Sequence, residues 1–171
     1  TYKKMYPGWD WDSKTIVSNS IGQGEVLMTP IQLANMIATV ANRGYYYTPH
    51  IIKSIKGEQI DKKFRTKHVT SIDRKYFDPV INGLYDVYNL GTARGLGVEG
   101  IEICGKTGTA ENYTKINGKR VKLQDHSLFV AFAPKDNPKI AIAVFVENGY
   151  WGARWAGPIT TLMIEKYINR K

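Results

Sequence analysis

The stretch Leu128-Phe129-Val130-Ala131-Phe132-Ala133-Pro134-Lys135-Asp136-Asn137-Pro138-Lys139-Ile140-Ala141-Ile142-Ala143-Val144-Phe145-Val146 decides the fold. Both of its ends are apolar runs rich in Val, Ile and Phe, the side chains that fit a pleated, buried surface. Its middle, Pro134 to Pro138, is turn chemistry: proline presets φ, and Asp and Asn hydrogen-bond their own backbone. Two strands joined by so short a turn run antiparallel. Upstream, Ile101, Ile103 and Cys104 read as a further strand. Downstream, Pro158 opens a helix whose inward stripe is expected at Ile159, Leu162, Met163 and Tyr167.

Nearer the N-terminus the period changes. Thr29, Pro30 and Gln32 form a capping box with proline at the first helical position. Leu33, Met36, Ile37 and Val40 recur at helical spacing, so a helix is predicted over about 30–43, with Gly44 as its stop. Residues 45–56 read as extended and 57–70 as a polar, basic surface excursion. Ser71 or Asp73 opens a short turn. Asp78-Pro79 then starts a second helix, with Val80, Leu84 and Val87 inward, running to about Leu90 before Gly91. Residues 1–28 read as irregular, with Tyr2, Tyr6, Trp9 and Trp11 among Gly8, Asp10 and Asp12. The order is helix, helix, strand, strand, strand, helix. The predicted class is α+β, an antiparallel sheet flanked by helices.

The chain has 171 residues, enough for one domain or part of a larger one. Hydrophobic residues at 43% and charged residues at 23% exclude wholesale disorder and fibrous structure. No apolar run approaches the roughly 18–20 residues of a membrane span. The first residue is Thr1, which suggests a processed product or a piece of a longer chain. The net charge of +9 invites anionic partners, but the basic residues are dispersed. The densest run, Lys115 to Lys122 around Asn117-Gly118, reads as a solvated hairpin tip. No base-stacking motif accompanies it, so nucleic acid is not expected as a partner. The single Cys104 excludes a disulfide framework and a cysteine metal cluster, and His50, His68 and His126 are widely spaced. Neither metal nor cofactor is expected.

Gly105-Lys106-Thr107-Gly108-Thr109-Ala110-Glu111 carries the chemistry. One reading is a phosphate loop, because residues 100–107 fit G-x-x-x-x-G-K-T letter for letter, and this would make the chain a nucleotide-binding protein. The context opposes it. No apolar strand precedes the motif, and it leads into a hairpin rather than a helix. The other reading is an edge strand bearing Lys-Thr-Gly-Thr. Lys106 then shares a face with Gly108. Thr107 and Thr109 take the other face, or a local twist aims both hydroxyls into one cleft. An amine with two hydroxyls receives a carboxylate, and free N–H groups on an edge strand receive an oxyanion.

Lys-Thr-Gly is a signature element of penicillin-binding proteins and class A β-lactamases. Its surroundings here also resemble the high-mass class B penicillin-binding proteins. The matching segments are Ile21-Gly22-Gln23-Gly24, Thr29 to Ala34, Ala41-Asn42-Arg43-Gly44, Pro49-His50, Gly91-Thr92-Ala93, Gly105 to Glu111, Phe129 to Pro134 and Asn137 to Ile140, in that order. The Ile-Gly-Gln-Gly form is most similar to penicillin-binding protein 2, the elongation type. The resemblance covers roughly residues 18–168.

The resemblance implies a penicillin-binding, β-lactamase-like fold and serine-type D,D-transpeptidase chemistry in peptidoglycan biosynthesis. A serine attacks the D-Ala-D-Ala bond of a stem peptide, and the acyl group passes to a neighbouring amine. β-Lactams trap the same serine. By the resemblance Lys106 and Thr109 are catalytic, and Lys106, Thr107, Gly108 and Thr109 bind substrate. The Thr109 N–H would be half of the oxyanion hole. It further implies the extracytoplasmic, periplasmic face of a bacterial inner membrane, with the anchor in a segment outside this chain.

The nucleophile motif S-x-x-K does not occur in these residues. Ser71-Ile72-Asp73-Arg74 ends in an arginine that stays protonated. Thr1-Tyr2-Lys3-Lys4 has the spacing with threonine, and Ser18-Asn19-Ser20 places asparagine one position too early for Ser-x-Asn. The expectation is that residues 1–171 are the C-terminal portion of one transpeptidase domain, inactive without the rest. Only the last three strands of the sheet are then present. The strand near 139–147 becomes an open apolar edge, which invites self-association or pairing with the rest of the domain. A catalytically dead scaffold is the remaining alternative.

Overall fold

The computed structural model describes residues 2–5, 7, 8 and 10–170. Tyr6 and Trp9 of the expected aromatic cluster lie outside them. The elements in chain order are α1 (Tyr2–Met5), α2 (Ser13–Ser20), α3 (Pro30–Ala41), β1 (Tyr45–Tyr47), α4 (Lys62–Arg65), β2 (Lys67–Val69), a 3-10 turn (Arg74–Tyr76), α5 (Phe77–Asn89), β3 (Cys104–Ala110), β4 (Tyr113–Ile116), β5 (Lys119–Lys122), β6 (His126–Ala133), β7 (Ile140–Val146) and α6 (Ala156–Ile168). The main sheet is antiparallel, in the order β3-β6-β7, with α3 and α5 on one face and α6 on the other. β1 pairs with β2, and β4 with β5. The class is α+β, as expected.

β6 explains why the sheet forms. Phe129, Ala131 and Ala133 enter a core with Tyr88, Ile103, Ile142 and Ile164. Val130 and Phe132 enter a second core with Ile37, Phe77, Ile81 and Cys104. Alternate side chains go to opposite faces, so a strand buried on both sides must be apolar throughout. Each buried phenylalanine contributes roughly 2–3 kcal/mol by removal from water.

The helix predicted over 30–43 is α3, with its Thr29/Gln32 capping box and proline in the first turn. It ends through Arg43 at φ 56 and Gly44 at φ 105, whose N–H donates to the Thr39 carbonyl at 2.9 Å. The Lys115–Lys122 run is the expected hairpin, turning at Asn117 (φ 50) and Gly118 (φ 77).

Several expectations are corrected. Residues 1–28 are not all irregular, since they hold α1 and α2. The Asp12 carboxylate caps α2 by accepting from the N–H groups of Lys14 and Thr15, and these hydrogen bonds hold it below the usual carboxylate range. The β-branched Thr15, Ile16 and Val17 have modest helix propensity and hide the helix. The extended stretch shrinks to β1, and the surface excursion contains α4 and β2. Asp73 opens a short 3-10 turn, as expected, but α5 begins at Phe77, ahead of Asp78-Pro79. Its buried face is Phe77, Ile81 and Tyr88, while Val80 is exposed; Met36 of α3 is exposed too.

The largest correction is α6. Its sheet face is Ala156, Gly157, Thr160, Thr161 and Ile164, and the expected stripe of Ile159, Leu162, Met163 and Tyr167 points outward, with Leu162 64% exposed. A Cβ on Gly157 would lie 2.7 Å from Leu96 Cδ1 and 3.4 Å from Phe129 Cδ2. The first turn of the helix is therefore seated so closely that only glycine fits at 157, while Ile164 fills the wider space further along. No helix among the described residues is long and apolar enough to cross a membrane.

Candidate active site

β3 runs beside β6 with Lys106 opposite Val130, Thr107 opposite Phe129, Gly108 opposite Leu128 and Thr109 opposite Ser127. Its other edge has no partner strand among the described residues. A Cβ on Gly105 would come within 2.7 Å of the Phe129 ring and 2.8 Å of the Val130 carbonyl, so only glycine lets β3 lie flat here. Gly152 backs onto Gly108 in the same way. A Cβ there would overlap the Leu128 carbonyl and stand 2.7 Å from Gly108 O and 2.9 Å from Gly108 N. Buried Ser127 fixes that contact: its hydroxyl donates to the Trp151 carbonyl at 3.0 Å and accepts from the Ala156 N–H at 3.1 Å. The start of α6 and the Lys-Thr-Gly strand are thus locked as one unit.

The structure brings Lys106 and Thr107 together. Lys106 Nζ donates to the Thr107 carbonyl at 3.0 Å and to Thr107 Oγ1 at 3.1 Å. Lys106 follows Cys104 on the α3/α5 face and Thr107 takes the other, so the ammonium curls over the strand edge to meet the hydroxyl. Thr109 is exposed, two residues further along the same edge. The result is an open ledge bearing a cation, two hydroxyls and edge N–H groups.

Two contacts add residues to which the sequence assigned no role. Thr92 Oγ1 lies 3.0 Å from Thr107 Oγ1, and Gln23 Nε2 donates to the Thr109 carbonyl at 2.8 Å. Both belong to family-like segments, Gly91-Thr92-Ala93 and Ile21-Gly22-Gln23-Gly24. That shared likeness is the only signal the sequence holds for them, because Gln23 is 86 positions from Thr109. The phosphate-loop reading is overturned. Gly105, Lys106 and Thr107 lie inside a strand that continues to Ala110 and leads to β4, so no loop wraps an anion and no helix comes next. Burial pushes the Cys104 thiol up to about 12, so it supplies no thiolate nucleophile. Among the described residues no group of three His, Cys, Asp or Glu could hold a metal ion.

The penicillin-binding protein transpeptidase domain family matches residues 4–165. The chain belongs to that family. Within it, the peptidoglycan D,D-transpeptidase MrdA of Acinetobacter baumannii is 35% identical over 91% of this chain and 26% of its own length. The peptidoglycan D,D-transpeptidase PbpA of Mycobacterium tuberculosis is 32% identical over 92% of this chain and 33% of its own length. The crystal structure of Pseudomonas aeruginosa PBP2 in complex with WCK 5153 superposes with a TM-score of 0.78 at 34% identity, over 99% of this chain and 36% of that one. The imipenem acyl-enzyme complex of M. tuberculosis penicillin-binding protein A superposes with a TM-score of 0.75 at 30% identity, over 92% and 35%. The relatives are of the penicillin-binding protein 2 type that the Ile-Gly-Gln-Gly segment suggests. The chain spans about a quarter to a third of their length.

Proposed function

We propose that these residues are the C-terminal, substrate-cradling portion of a D,D-transpeptidase that cross-links peptidoglycan. The observation that carries the reading is the open edge of β3, where the Lys106 ammonium lies against the Thr107 hydroxyl with Thr109 next along. Thr107 and Thr109 bind the terminal carboxylate of the stem peptide, beside the positive field of Lys106. A serine on a segment outside residues 1–171 attacks the carbonyl of the penultimate D-Ala. Its proton leaves to a base on that segment, the carbonyl oxygen becomes an oxyanion, and the Thr109 N–H receives it. Collapse, with the base handing that proton to the scissile nitrogen, expels the terminal D-Ala as an amine and leaves an ester. An amine of a neighbouring strand then attacks the ester and releases the serine. β-Lactams, which offer a carboxylate and a reactive carbonyl in one molecule, acylate the same serine. Lys106 supports proton traffic at the site.

The residues present contain no S-x-x-K, so this portion is inactive without the segment that bears it. That segment also completes the sheet beside β7. The protein works on the periplasmic face of the inner membrane, where its cross-linking serves the elongating wall and cell shape. The test is the acylation rate of the polypeptide carrying both segments by benzylpenicillin. Lys106→Ala should lower it by about tenfold to a hundredfold, the worth of a hydrogen bond to a charged group. An unchanged rate would overturn the assignment. A folded polypeptide that takes no label at all would mark a dead scaffold.

A further inference from the structure

The open edge of β3 has an internal order. In an antiparallel ladder, opposite residues alternate between pairs that exchange both backbone hydrogen bonds and pairs that exchange none. The carbonyls of Thr107 and Thr109 accept from side chains, Lys106 Nζ at 3.0 Å and Gln23 Nε2 at 2.8 Å. Both residues are therefore of the second kind, and their N–H groups face the same open edge. The Thr109 N–H lies between two occupied carbonyls. An extended peptide that adds to this edge at Thr109 has to accept from that N–H and donate its own N–H to the Thr109 carbonyl. Gln23 already holds that carbonyl.

We infer that Gln23 is a specificity-determining residue: a replaceable cap on the Thr109 carbonyl, which an acyl-donor peptide must displace with a backbone N–H of its own. The inference rests on the proposed function. The loop that carries Gln23 is shaped to deliver it. Gly22 at φ +78 and Gly24 at φ +92 flank it, and its own N–H returns to the Ser18 carbonyl at 3.0 Å, folding the chain back over the end of α2. The rest of the side chain is a flexible stem, so the amide can leave without moving the backbone. A ligand with N–H at this register replaces one amide donor with another. A ligand without it has nothing to offer the carbonyl, and the cap stays. While in place, the cap also closes an acceptor to strand pairing with other chains.

The test uses the polypeptide carrying both segments, with Gln23→Met to keep the bulk and remove the donor. Two substrates are compared, an acyl-D-Ala-D-Ala peptide and its analogue with an ester oxygen in place of the amide N–H of the penultimate residue. The expected result is a KM for the amide substrate about three- to tenfold lower in Gln23→Met, from loss of a competing hydrogen bond, with kcat and melting temperature unchanged. The ester analogue should show no such gain. A KM that rises in Gln23→Met, or an equal shift for both substrates, overturns the inference. Lys106→Ala in the same assay separates the two levels. If it raises KM while Gln23→Met lowers nothing, the cap is wrong and the proposed function stands. If it changes nothing, the proposed function fails and the cap falls with it.

Discussion

The two edges of the main sheet are built on opposite terms. β3 offers glycine, threonine and lysine, and side chains already hold the carbonyls of Thr107 and Thr109. β7 offers Ile140-Ala141-Ile142-Ala143-Val144-Phe145-Val146 and, among the described residues, has no strand on the side away from β6. An edge with small residues and occupied acceptors takes a short polar ligand but resists a whole strand. A bare edge of β-branched residues is a joint for another strand. On the proposed function, one sheet carries a receptor on one side and an attachment on the other, and both edges lean on β6 between them.

The contrast can be broken at its centre. Phe129 is fully buried opposite Thr107 on one side and Val144 on the other. Phe129→Ala should cost about 3–5 kcal/mol and loosen both edges together. Urea denaturation reads the loss, and amide exchange should rise in β3 and β7 alike. Protection surviving in one edge would show that they do not share a core.

Gly152→Ala should separate the edges. The added methyl collides with backbone of Leu128 and Gly108, neither of which can rotate away. The expected cost is about 1–3 kcal/mol, with faster amide exchange concentrated in β3. A larger change in β7 would contradict the lock between β3 and the start of α6.

Alkaline pH sharpens the comparison from the β3 side. Burial raises the Cys104 thiol and the Tyr88 phenol, each to about 12. Both are neutral when protonated. The unfolded chain releases these protons from about pH 8.5–10 upward while the fold retains them. Their stabilisation is complete below that range and is lost as the pH climbs toward 12. Tyr88→Phe should move the alkaline unfolding midpoint, followed by tryptophan fluorescence, to higher pH. No movement would place the titration elsewhere.

The smallest effect on stability belongs to β7. Phe145, at 41% exposed, becomes Lys in a variant expected to alter stability by no more than about 0.5 kcal/mol. It should nevertheless reduce self-association, measured by light scattering. A native chain that is monodisperse and monomeric would remove the role given to this edge.

Legibility in the sequence depends on where the information is stored. β7 and α3 are legible because period, cap and turn all agree locally. α6 misleads because two of its faces carry helical spacing. The stripe with the larger apolar residues is the outward one, whereas the close seat of the helix selects Gly157, Thr160 and Thr161. At the site, Lys106 through Thr109 stand out as a short motif on a strand. Gln23, Thr92 and Gly152 do not, because each reaches β3 from a distant part of the chain. Only the packing of Gly152 on Gly108, the turn after α2 and the turn after α5 bring them there.

The most direct test is intact mass spectrometry after incubation with benzylpenicillin, on residues 1–171 and on the polypeptide that adds the nucleophile-bearing segment. The expected result is no covalent adduct on residues 1–171, and one adduct on a serine of the added segment. An adduct mapped within residues 1–171 would contradict the division of the site between the two segments.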